Sequence, residues 1–283
     1  MMTPALVAAT ARVAAHRGAA FRARSVTLAG FGALVLLAAW IGEVDLAKLF
    51  RGLPMIGDYL WRTVPSLRGD HLADDLHDWF WGLREWVILL GDTLLIAYVG
   101  TVFGAAVALL ASFPAATTLA PDRVVWPLRR VLEAARTVPT LVFALLFVFA
   151  FGLGPLAGVL AIAMHTAGAL GKLFAEIHEN ADHRQVEAIR AAGGTWAEAC
   201  RFGVLPQSMP GMLSLGLLRF EINVREASVL GLVGAGGIGE ELYLAVRQFE
   251  YTDISAILLL IMATIVGLDS LSGFLRRRVI GVQ

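Results

Sequence analysis

Five side chains near the middle of a long apolar run carry groups able to do chemistry: Arg219, Glu221, Asn223, Arg225 and Glu226. Four of them are charged, and each charge at the centre of a membrane helix costs ~2.5–3.5 kcal/mol on the insertion scale, where a Leu or Ile returns only ~0.3–0.6. The four together cost roughly 10–14 kcal/mol, more than a dozen aliphatic residues would offset. A helix that carries them is buried in protein or lines water. At 100° per residue, Arg219, Asn223 and Glu226 gather within about 60° of one another, with Glu221 and Arg225 on nearly the opposite face. Glu221 and Arg225 stand at i,i+4 with the acid first, the favourable order for an ion pair inside a bundle. The alternative is that one face lines a substrate path, where an arginine offers planar donors to an oxyanion. The spacing leaves open which arginine that is.

Just downstream, Gly234-Ala235-Gly236-Gly237-Ile238-Gly239 spells G-x-G-x-x-G after the strand-like Val229–Val233, the letters of a dinucleotide fingerprint. The context contradicts that reading, because such a unit needs a soluble sheet and only a short loop separates two apolar runs here. Gly234, Gly236, Gly237 and Gly239 are better explained as residues that let a helix end, turn in the outer membrane region and pack closely. No catalytic constellation is visible. His165 stands apart, His178 and His183 lack metal-spaced partners, and no cysteine cluster exists, since Cys200 is the only cysteine. We therefore expect no metal site. No Walker A lysine motif occurs, so energy from ATP must enter through another subunit.

The elements that hold these residues follow from composition. Of 283 residues 58% are hydrophobic and 16% charged, where a soluble domain carries about 25% charged residues. With a mean hydropathy of +0.71, this is an integral membrane protein. Formal net charge is zero, which gives no general pull toward nucleic acid. Six apolar runs are long enough to be considered as spans, at about 26–42, 86–112, 131–151, 153–174, 208–232 and 254–275. Arginines and lysines fall on one side: Arg12 to Arg24, then Arg123, Arg129 and Arg130, then Lys172, Arg184, Arg190 and Arg201, and finally Arg276 to Arg278. The positive-inside rule then makes both termini cytoplasmic. Residues 1–25 read as a cytoplasmic flank, with 26–42 as an uncleaved signal anchor.

Residues 43–85 are too polar to span. Trp61, Trp79, Phe80, Trp81 and Trp86 fit an aromatic belt on an amphipathic helix at the outer surface, with contact to an external protein as the alternative. Residues 187–206 are polar between two spans and lie on the cytoplasmic side. Their Glu-Ala start, Gly193 and closing Leu205-Pro206 read as a docking element for a partner.

These residues carry a resemblance. Glu187, Ala188, Gly193, Leu205 and Pro206 resemble the EAA loop of ABC importer permeases, E-A-A-x3-G-x9-I-x-L-P, departing from it at Ile189 and Gly203. The block from Arg219 to Arg225, the Gly234–Gly239 turn and Arg136-Thr137-Val138-Pro139 look like the phosphonate branch, over about residues 85–278. The resemblance implies an all-α polytopic membrane protein of about six transmembrane helices, a type I ABC importer permease-like bundle over 86–278. It implies a bacterial inner-membrane protein that imports phosphonates or related phosphorus oxyanions such as phosphite or phosphate and is not itself an enzyme. Its implied partners are a second copy of the chain, two ATPase subunits that hold ATP and Mg, a solute-binding protein outside and the bilayer, with no nucleic acid. No cofactor is expected on the chain. Residues 187–206 would dock on the ATPase as two short helices around Gly193, Arg219/Asn223/Glu226 or Glu221/Arg225 would line the pathway, and Arg136 would pass an anion inward. A permease for another solute such as methionine keeps the docking loop and changes the pathway. An ATP-independent secondary transporter would have neither partner.

Overall fold

A computed structural model describes residues 4–66 and 69–280; Met1–Thr3 of the N-terminal flank lie outside the described residues. Every regular element among these is helical. Two units divide the chain near Trp61.

In the first unit, α1 (Pro4–Ile41) carries an 18-residue apolar window, Arg24–Ile41, near the expected first span. The chain turns at Gly42 and Glu43, the latter at φ 50°. Helix α2 (Leu46–Thr63) then begins where the Asp45 carboxylate accepts the Lys48 amide at 3.0 Å. Leu49, Leu53, Ile56 and Leu60 follow one another at three- and four-residue steps, so α2 has one apolar face. The 43–85 segment thus holds not one amphipathic helix but α2 and a short α3 (Leu72–Trp79).

The second unit is built on α4 (Leu83–Ala115) packed against α7 (Pro155–Glu179). Small residues permit the approach: a Cβ at Gly100 would lie 2.7 Å from Ile162, and one at Gly104 2.7 Å from the Ala163 carbonyl. Van der Waals contact of this closeness is what joins helices in lipid, where apolar burial gives no drive. Trp86 is buried in this bundle rather than placed in an interfacial belt. Trp79 and Trp81 donate to Ser255 (3.0 Å) and Asp253 (3.2 Å), so α3 is tied to the start of the last helix.

The third apolar run departs from expectation. It is not one helix over 131–151: α5 (Asp122–Thr137) and α6 (Thr140–Phe151) meet at a bend of 88°. Val138 is extended (φ −72°, ψ 124°), because Pro139 disfavours the helical conformation in the residue before it. Helix α6 alone is about 18 Å long, short of the ~30 Å hydrocarbon core.

Residues 187–206 also differ from expectation in one respect. Helix α8 (His183–Ala191) ends before Gly193, at φ 86°, as expected of a glycine-made turn. Beyond it α9 (Trp196–Glu198) does not form a separate short helix. It passes through wide turns at Ala199–Val204 directly into α10 (Leu205–Leu230). Val229–Val233 is helical, ending in a tight turn at Gly231–Val233, and not strand-like. The glycine turn leads to α11 (Ile238–Gln248), bent 49° from α10, and α12 (Tyr251–Ile280) closes the bundle. Among the described residues four helices are long and apolar enough to cross a membrane, and up to six spans result if each bent pair is one.

Candidate functional site: a charged cavity at a broken span

The α5–α6 bend leaves carbonyls at the end of α5 without intrahelical partners. One of them, that of Arg136, lies 2.9 Å from His165 Nε2 on α7. On the far side of the same ring, Nδ1 is 2.5 Å from Arg219 Nη2. A guanidinium only donates, so Nδ1 accepts and Nε2 carries the hydrogen that Arg136 receives. A neutral His165 therefore stitches the broken span to α10. The Arg136 side chain itself is exposed and away from this contact.

Arg219 reaches Glu226 on the same helix face at 3.5 Å. Thr140, the first residue of α6, donates to the other Glu226 oxygen at 2.7 Å. Asn223 is fully buried and donates to Thr101 (2.7 Å) on α4 and Thr166 (2.9 Å) on α7. So the face Arg219/Asn223/Glu226 is brought together, and it points at α4, α6 and α7.

Glu221 and Arg225 do pair, at 3.0 Å, and Arg225 also meets Asp269 on α12 at 2.9 Å. Arg276 approaches the second Glu221 oxygen at 3.9 Å. The two faces are not separate sites, however. Arg225, Glu226 and His165 together line a cavity of about 410 Å3, with Pro139, Thr140 and Leu141 opposite. The helical wheel parted Arg225 from Glu226; both residues border the cavity, while Arg225 Nη2 is held by Glu221 and Asp269. His165, Thr140 and Asp269 were not foreseen. His165 had a usable signal, since an ionisable residue inside an apolar span is a functional candidate by default.

The glycine turn joins α10 to α11. Gly234, Gly236 and Gly237 have φ between 80° and 82°. The Gly154 amide donates to the Gly234 carbonyl at 2.8 Å, and the Ile238 amide to Thr93 at 2.9 Å. A Cβ on Gly239 would stand 1.9 Å from the Ser228 carbonyl oxygen, so the chain passes itself there without side chains.

At the other end, Glu187 and Ala188 are exposed on α8, Pro206 is exposed on α10, and Leu205 is half-buried. Glu187 makes no ion pair among the described residues. Asp182 caps α8 by accepting the Arg184 amide at 3.0 Å. Thr195 and Glu198 form a reciprocal cap on α9, and the Thr195 amide and hydroxyl hold the Glu198 carboxyl below its usual range. The two departures from the loop pattern meet in space: a Cβ at Gly203 would lie 3.3 Å from Ile189 Cδ1. A larger residue at one position faces a smaller one at the other. Beneath the loop, buried His178 bridges Ser112 (3.0 Å) on α4 and Ser208 (2.9 Å) on α10. No group of metal-binding side chains occurs among the described residues.

Residues 100–281 match the family described as binding-protein-dependent transport system inner membrane component. The chain is 41% identical over 246 residues to the phosphite transport system permease protein PtxC of Stutzerimonas stutzeri, covering 86% of this chain and 85% of that one. It is 47% identical over 122 residues to a putative cryptic phosphonate transport system permease protein, PhnE2, of Escherichia coli K12, covering 43% of this chain and all of that one. Among solved structures it resembles the inward-facing MetNI methionine ABC transporter, with a TM-score of 0.62 and 20% identity over 69% of this chain and 95% of that one. That likeness speaks for the fold alone.

Proposed function

The chain belongs to the family of binding-protein-dependent transport system inner membrane components, and from that premise we propose that it passes phosphonates or related phosphorus oxyanions, phosphite and phosphate among them, into the cytoplasm. As an ABC importer permease it works with an ATPase and a solute-binding protein. In our reading the ATP and Mg are held by two ATPase subunits, this chain binds no cofactor, and two copies of it enclose the path. Both termini face the cytoplasm, as the distribution of arginines supports.

The observation that carries this reading is the charged cavity where the broken third span meets α10. It is lined by Arg225, His165 and Glu226 with Arg219 behind, and it is open on the surface of the single chain. Lipid cannot cover such groups without a large penalty. A second copy facing it would enclose them around water and substrate. The exposed side chains among residues 187–206 suit docking on the ATPase, with Glu187 presenting an unpaired carboxylate to a basic side chain. ATP binding would draw the two docking elements together, and α10, continuous with the docking element, would carry that motion to the cavity.

The test is uptake of a labelled alkylphosphonate into proteoliposomes that hold this chain, its ATPase and its binding protein. Phosphite, phosphate and methionine are added as competitors. We expect ATP-dependent uptake that phosphorus oxyanions suppress and methionine does not. Uptake without ATP, or uptake blocked by methionine alone, would overturn the proposal.

A further inference from the structure

A carboxylate stands where an anion is to pass. Glu226 lines the same cavity as Arg225 and His165, and for a fully ionised dianion it is a repulsive wall. It is also incompletely used. An ionised carboxylate has about four acceptor positions; Thr140 occupies one at 2.7 Å, and Arg219 approaches another at a long 3.5 Å. The Thr140 hydroxyl fixes the rotamer, Arg219 stands behind, and the remaining lone pairs are left for whatever enters the cavity.

Resting on the function proposed above, we propose that Glu226 selects oxyanions that carry a hydrogen on oxygen. A phosphorus oxyanion with a P–OH group donates that hydrogen to Glu226 while its bare oxygens accept from Nε and Nη1 of Arg225, whose Nη2 is already held by Glu221 and Asp269. Sulfate has the same shape and no hydrogen to give, so it meets the carboxylate as an unrelieved like charge. The charges around the cavity support loose, selective holding rather than tight capture. Arg219, Arg225 and Arg276 are balanced by Glu221, Glu226 and Asp269. A transport site has to release what it binds. Discrimination then comes from the hydrogen bond, and a missing partner at a charged group is worth about tenfold or more.

Hydrogen phosphate above its second ionisation and sulfate are both dianions, and they differ by one O–H. The complex of this chain with its ATPase, in nanodiscs without the binding protein, is titrated with inorganic phosphate while 31P line broadening is followed, and sulfate is added as competitor. Wild type is expected to prefer phosphate about tenfold. Glu226→Gln offers an amide that donates as well as accepts, and it should bring the two anions within about twofold to threefold. Thr140→Val keeps the carboxylate and its volume but removes its anchor; it should weaken the preference part of the way and serves if the Gln variant fails to assemble. An unchanged phosphate-to-sulfate ratio in the assembled variants overturns the inference and leaves the proposed function standing. No phosphate binding by wild type also overturns it, and the uptake assay then decides whether the wider reading falls too.

Discussion

Ile189 and Gly203 lie against each other beneath the docking face, each departing from the family's loop pattern in the opposite sense of size. Packed interiors tolerate swaps that conserve volume better than single changes. Gly203→Ile alone should therefore destabilise the docking element by about 1–3 kcal/mol through overpacking. Ile189→Ala alone should cost about 1–2 kcal/mol, since the residue is only partly buried. The double change should recover much of both, which a double-mutant cycle on thermal unfolding of the purified protein would measure. Strict additivity would mean that the contact has no energetic weight. Cys200, buried in the same cluster, has its thiol pKa raised by desolvation, so less thiolate is present near neutral pH. Labelling by N-ethylmaleimide should be at least about tenfold slower in the folded protein than after denaturation. At this scale the sequence was legible where a residue was out of place by chemistry. The charges of α10 declared themselves because lipid cannot solvate them. Thr140 did not, since a threonine in a span is ordinary and only the bend turns it toward Glu226.

The bend between α5 and α6 is the element on which the cavity depends. Pro139 was plain in the sequence, yet hydropathy over 131–151 reads straight across it, because apolarity averages over a window and backbone geometry does not. The charged faces of α10 had the reverse history. Helical periodicity placed Arg219, Asn223 and Glu226 together correctly, but it could not foresee that Arg225, on nearly the opposite face, also borders the cavity. The outer turn was read rightly as a helix-breaking glycine cluster while its approach was misread as strand, since Val-Leu-Gly-Leu-Val suits either conformation. Pro139→Ala should relax the bend and draw Thr140 and the Arg136 carbonyl from their partners. Uptake should fall roughly tenfold or more, with assembly on the ATPase retained in co-purification. Undiminished uptake would remove the broken span from the mechanism.

For the whole molecule, the helical membrane bundle and the family were the most legible features, because they rest on composition, length and motif rather than on packing. What the sequence could not give was the fit of helix on helix, such as Gly100 and Gly104 against α7. Glu187 has no ion pair among the described residues, so Glu187→Arg should leave the bundle folded and inserted. ATP hydrolysis should then no longer drive uptake, or the ATPase should dissociate on size-exclusion chromatography. Full uptake with intact assembly would remove 187–206 from the docking role. Assembly, insertion and transport are thereby separated in one variant.

The run from Trp196 through Leu230 is helical throughout, about 50 Å at 1.5 Å per residue, with the wide turns at Ala199–Val204 and Pro210 near one end. Toward its far end, about 40 Å from Trp196 and about 10 Å from Leu230, Asn223 is pinned to Thr101 and Thr166. A rod held off-centre behaves as an unequal seesaw: pushing the long arm inward swings the short one outward. A tilt of some 5° would displace the long tip by about 3.5 Å and the short one by about 1 Å in opposite senses. In the two-copy arrangement proposed above, two such rods would cross the bilayer side by side, and pressing the docking tips together would part the opposite ones. Opening to one side and sealing to the other would then be a single movement, with no message to relay between two gates.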